Sequence, residues 1–136
     1  MYKRQLDGVS LADALLAPHR TYYPVLAPML EADLIHGMAH ITGGGLQDNV
    51  PRVLPKGLGV RIDRSAMPRP PIFDFLCDRG DVHRKEAYRV FNMGFGMVLF
   101  VAPGDVDEVR RLGGDEPLFD VGEAVAAEDG GVSFSS

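Results

Sequence analysis

Ala39-His40-Ile41-Thr42-Gly43-Gly44-Gly45-Leu46-Gln47-Asp48-Asn49-Val50-Pro51-Arg52 joins a short apolar run, three consecutive glycines and a helix-compatible segment. The run from Ile35 to Ile41 predicts a strand, and Leu46 to Val50 predicts a helical turn after the glycines. Three glycines in a row cost backbone entropy that a plain turn does not need. They are useful where backbone must approach something bulky, or where successive N–H groups must point at an anion. A strand, a glycine loop and a helix start make an anion site, because first-turn N–H groups lack intrahelical partners and the helix dipole favours negative charge. The same run also suits a turn packed tightly against its neighbours. It matches neither the Walker A nor the dinucleotide-binding spacing. Thr42, Gly43, Gly44 and Gly45 are the candidate ligand-binding residues, with Asn49 and Arg52 nearby. Arg52 offers either a bidentate contact to phosphate or a brace for the loop carbonyls. Asn49 offers either a ligand contact or a cap for the turn before Pro51.

Outward from this stretch, Ser10 reads as the N-cap of a helix through Leu16, stopped before Pro18. Tyr23 to about Asp33 predicts a helix that Pro28 bends or shortens. Leu58 to Ile62 alternates as a strand, and Pro68-Arg69-Pro70-Pro71 is an extended connector. Ile72 to Gly80 predicts a helix with Gly80 at its C-terminal glycine position, and His83 to Val90 predicts another. Gly96 to Val101 is a continuous apolar run, which predicts a central strand buried on both faces. Asp105 to Leu112 predicts a helix with first-turn carboxylates, and Leu118–Val125 and Gly131–Phe134 supply late strands. Strands alternating with helices predict an α+β, layered α/β domain: a mixed sheet flanked by helices.

Composition narrows the function. A chain of 136 residues that is 46% hydrophobic can bury one core. A formal charge of −5 argues against a nucleic-acid partner, which favours a basic face. No apolar stretch approaches the roughly 18–20 residues that span a bilayer. The single cysteine, Cys77, allows no internal disulfide and reads as core filler rather than nucleophile. The expectation is a cytoplasmic protein without a membrane segment. His36 and His40 are read as structural or ligand-neighbouring histidines rather than a metal pair, since no Cys or carboxylate accompanies them. Asn92 reads as a helix-terminal turn residue that tolerates the left-handed region, with a substrate contact as the alternative.

His40 to Pro55 closely resembles phosphoribosylformylglycinamidine cyclo-ligase, the aminoimidazole ribonucleotide synthetase family of purine biosynthesis. Tyr88-Arg89-Val90-Phe91-Asn92-Met93-Gly94-Phe95-Gly96-Met97 resembles a second block of that family, and Leu15-Leu16-Ala17-Pro18-His19-Arg20-Thr21-Tyr22 a third. Order and separation match the family's C-terminal half, from about Ser10 to about Val125. The family usually has threonine where His19 stands, methionine at Ala87 and threonine at Val90. Met1 to Gln5 have no counterpart and read as a non-native leader, the translation of a sequencing-adapter end; a natural flexible N-terminus is the alternative. Residues 6–136 then form a single C-terminal domain, with the N-terminal ATP-binding domain expected upstream.

The resemblance implies a concrete reaction. ATP activates the formyl amide oxygen of formylglycinamidine ribonucleotide, an internal nitrogen attacks the same carbon, and ring closure releases phosphate. Mg²⁺ neutralises the triphosphate. It further implies ATP and Mg²⁺ sites mainly in the N-terminal domain, a homodimeric full-length protein, and substrate-phosphate binding at Thr42 to Gly45, Asn49 and Arg52. No metal ligand set is expected in this chain. The competing expectation is a non-catalytic phosphate-binding or interaction domain of the same fold.

Overall fold

The computed structural model describes residues 5–135. Met1 to Arg4, the bulk of the expected leader, lie outside the described residues, while Gln5 pairs with Ser10. The first hairpin, β1 (Gln5–Leu6) and β2 (Val9–Ser10), turns at Asp7-Gly8, both at positive φ (49° and 85°). Asp-Gly suits this tight turn because glycine and aspartate tolerate the left-handed region. Ser10 caps α1 (Leu11–Leu15) as expected, its hydroxyl accepting from the Asp13 N–H at 3.1 Å. α2 (Tyr23–Glu31) places Pro24 in its first turn and carries Pro28 internally. Pro28 has no N–H for the preceding turn, and the helix ends at Glu31.

β3 (Gly37–His40) leads into α3 (Gly45–Asn49) and a 3-10 turn at Val50–Val53. β4 (Leu58–Asp63), α4 (Pro71–Gly80) and α5 (Arg84–Val90) follow, then β5 (Met97–Phe100), α6 (Val106–Gly113), β6 (Gly122–Ala126) and β7 (Val132–Ser135). β4 lies between β6, antiparallel, and β7, parallel, so this sheet is mixed. β3 and β5 form a separate antiparallel ribbon. Helices plus mixed and antiparallel sheets make the domain α+β, as the alternation of patterns predicts.

Three local expectations are corrected. Pro71 opens α4 rather than ending the connector, since proline at a first helical position loses no intrahelical bond. Gly80 remains helical, and Asp81 takes the left-handed cap (φ 49°). The late strand begins at Gly122, because Leu118 is taken by the packing around Met29 and Val109.

The larger correction concerns residues 97–101. β5 is not central: among the described residues it pairs only with β3, and its residues are half-buried. Its apolar character on both faces has another cause. Val98 and Phe100 pack on the core of Ala39, Ile41, Leu46, Val50, Val60, Ile62, Met67 and Phe95. Met97, Leu99 and Val101 pack on the second core of Leu26, Met29 and Val109. The ribbon therefore separates two hydrophobic clusters, and each face must be apolar because alternate side chains enter different cores.

Candidate functional site

The glycine loop lies where β3 leaves the ribbon. The N–H of Ile41 donates to the Gly96 carbonyl at 2.8 Å, which holds the strand end against β5. Leu46 and Val50, one helical turn apart, are 1% and 0% exposed and anchor α3 in the larger core. Between these fixed ends the chain reverses at Gly44 (φ 94°) and Gly45 (φ 59°). Glycine takes positive φ at both successive positions without the steric cost that a Cβ would add.

The three glycines differ in role. A Cβ on Gly45 would fall inside the contact distance of the Tyr88 carbonyl oxygen and 2.8 Å from that of Phe91. Gly45 is thus the point where α3 rests on the C-terminal end of α5. A Cβ on Gly44 would lie 2.7 Å from the Asp48 carboxylate. Around Gly43 nothing lies within 4 Å, and the residue is exposed. The reading as a tight turn therefore holds for Gly44 and Gly45, while Gly43 is the open part of the loop.

Asn49 holds this shape. It is 5% exposed, and its side-chain amide donates to the carbonyls of Gly45 at 2.8 Å, Gly43 at 3.2 Å and Thr42 at 3.4 Å. The N–H of Gly45 also closes on the Thr42 carbonyl at 3.1 Å. Asn49 is therefore the brace of the loop, with its amide turned inward rather than capping the turn before Pro51. Arg52 is exposed on the following 3-10 turn, and no hydrogen bond or ion pair ties it to the loop. Bracing, weighed for Arg52 on sequence, belongs to Asn49.

Asn49→Leu keeps the branched shape but removes the donor from the loop carbonyls, that of Gly45 buried and those of Gly43 and Thr42 partly so. It is expected to cost about 1–3 kcal/mol, the usual penalty for leaving buried polar groups unpaired. Urea unfolding measures this directly, and a loss below about 0.5 kcal/mol would show the brace to be dispensable.

Asp48 was not singled out by the sequence pattern. It lies in the first turn of α3 with its carboxylate over Gly44. A carboxylate there is stabilised by the helix dipole and offsets part of the positive end that an incoming anion would meet. Its one available signal was position: three residues past an N-terminal glycine, where acidic residues favour a helix start.

The histidines separate. His36 lies in a bend ahead of β3, its N–H donating to the Phe100 carbonyl at 2.8 Å. His40 ends β3 and meets His19 and Tyr22, with ring centroids 5.2 and 6.2 Å away. Among the described residues, no three His, Cys, Asp or Glu side chains converge on one point. Asn92 accepts from the Gly94 N–H at 3.1 Å through its side chain, and the left-handed positions are Met93 (φ 53°) and Gly94 (φ 98°). Asn92 thus stabilises the turn, but it is Met93 that adopts the strained conformation. Cys77 is free and half-buried on α4. No helix among the described residues is long and apolar enough to cross a membrane.

Comparison with known proteins agrees with the fold. Residues 2–135 match the family described as AIR synthase related protein, C-terminal domain. The chain is 49% identical over 108 residues to a phosphoribosylformylglycinamidine cyclo-ligase of Bifidobacterium animalis subsp. lactis, covering 79% of the chain and 31% of the relative. A Streptococcus sanguinis protein of the same name is 43% identical over 125 residues, 92% of the chain and 36% of the relative. One from Desulfitobacterium hafniense is 45% identical over 129 residues, 93% of the chain and 38% of the relative. The chain thus spans about a third of the length of the curated relatives it matches. With the match extending over nearly the whole chain and an α+β fold to carry it, the protein belongs to the family of AIR synthase related C-terminal domains.

Proposed function

We propose that this chain acts as the C-terminal, substrate-phosphate-binding part of an ATP-dependent cyclo-ligase. The reaction converts formylglycinamidine ribonucleotide to aminoimidazole ribonucleotide in purine biosynthesis, in the cytoplasm. The observation that carries the reading is the loop itself: Gly43 is open, and Asn49 turns the loop carbonyls inward. When carbonyls face a buried donor, the opposite side of the loop is left to N–H groups and the Thr42 side chain, the polarity an anionic phosphate needs. Arg52, exposed and unpaired, supplies a cation that can swing towards bound phosphate. The Asp48 carboxylate opposes that attraction, so binding of phosphate rests on the loop donors and Arg52.

We further propose that ATP and Mg²⁺ bind mainly in the portion of a full-length enzyme that this chain does not span, where Mg²⁺ would be held by carboxylates, waters and the substrate phosphates. When bound, they activate the amide oxygen as a phosphoryl acceptor. The residues here bind and orient the ribose phosphate. In the full-length enzyme we propose a homodimer.

Two measurements test the reading. The 136-residue chain alone is expected to form no aminoimidazole ribonucleotide from formylglycinamidine ribonucleotide and Mg-ATP; turnover by the purified chain would overturn that. The chain grafted in place of the matching third of the Desulfitobacterium hafniense relative is expected to support the reaction. A folded but inactive hybrid would reject the assignment.

A further inference from the structure

We propose that His19 and His40 form a two-imidazole site for a borderline-soft divalent transition metal ion, with Zn²⁺ the reference case. Three rings converge at the end of β3. His19 lies 5.2 Å from His40 and 5.9 Å from Tyr22, centroid to centroid, and Tyr22 lies 6.2 Å from His40. Both histidines are exposed, and neither imidazole enters a hydrogen bond or ion pair among the described residues. Four nitrogen positions on two adjacent rings therefore lack a protein partner.

Distance, order and chemistry support an ion there. Zinc binds imidazole nitrogen at about 2.0–2.1 Å, so two rings sharing one ion have centroids about 5–6 Å apart. The observed separation of 5.2 Å meets that requirement, with rotation of the two exposed side chains to aim their nitrogens. The two rings reach the site from separate segments. His40 is paired with Met97 in the ribbon. His19 is followed by Arg20, whose ion pair with Glu116 ties the segment to the chain beyond α6. Tyr22 wedges the third side, its hydroxyl so close over Gly96 that no side chain could stand at that position.

Charge also permits a cation. The nearest positive group along the chain, Arg20, is neutralised by Glu116. Imidazole selects Zn²⁺, Ni²⁺ or Cu²⁺ over Mg²⁺, which prefers oxygen and keeps its waters. With two protein ligands, one fewer than an open catalytic zinc site has, water fills the remaining coordination positions and binding is weak. The site needs no assumption about the cyclo-ligase reaction.

Titration of the chain with Zn²⁺ at pH 7.5 is expected to show one equivalent bound with a dissociation constant on the order of 10–100 µM, weaker than four-ligand sites. His19→Ala and His40→Ala are each expected to weaken binding at least about tenfold, while His36→Ala changes nothing. In the wild-type chain the imidazole resonances of His19 and His40 should shift with zinc while those of His36 and His83 stay. Mg²⁺ should produce no shift. Equal affinity in wild type and in the folded His19→Ala variant, or zinc shifts confined to other histidines, would overturn the proposal.

Discussion

Gly45→Val is expected to destabilise the domain by about 2–5 kcal/mol, the sum of a left-handed residue with a side chain and an overpacked contact. Gly45 sits at φ 59° with the carbonyls of Tyr88 and Phe91 directly against it. Those oxygens belong to the C-terminal turn of α5 and the residue capping it, so they cannot rotate away as a flexible side chain would. Relief requires lifting α3 from α5, which withdraws Leu46 and Val50 from the larger core. A loss of this size is a large share of the stability of an ordinary domain. Urea unfolding followed by circular dichroism should show a clearly lowered midpoint with a similar slope. A midpoint matching that of wild type would mean that the α3–α5 contact is looser than described.

Gly43→Val is expected to act on ligand binding and hardly at all on stability. No atom lies within 4 Å of the place its Cβ would take, and its backbone is not in the left-handed region. Stability should therefore stay within about 1 kcal/mol of wild type. In the hybrid enzyme described above, the branched side chain would cover the open part of the loop. The KM for formylglycinamidine ribonucleotide should rise at least about tenfold, equivalent to ~1.4 kcal/mol, with the KM for ATP unchanged. An unchanged substrate KM would remove the loop from the site. Equal losses towards both substrates would point to a disturbed fold instead. Gly44 is the poorer probe, since its φ of 94° and the adjacent Asp48 would mix strain with occlusion.

Much of this protein follows from local pattern alone. The strand before the glycines, the short helix after them, the Ser10 cap and the helices opening near Tyr23, Ile72, His83 and Asp105 all rest on periodicity, capping and proline positions. Such signals act between residues a few positions apart, so they are legible without the fold. The family, too, was legible, because its motifs are long contiguous runs from His40 to Pro55 and Tyr88 to Met97.

Tertiary structure decided what depends on residues distant in the chain. An apolar run at Met97–Val101 is the same string whether it lies mid-sheet or divides two cores, and only packing against Ala39 and Met29 chose the latter. Three identical glycines became one open position and two obligatory ones because α5 and Asp48 approach Gly45 and Gly44. Asn49 became the loop's brace because helical geometry turns its amide back over the preceding carbonyls. His40 acquired His19 and Tyr22 as neighbours rather than His36, since the chain returns to the end of β3 before α2 begins. Periodicity reports which faces are apolar; which distant residue stands opposite each face is set by chain topology.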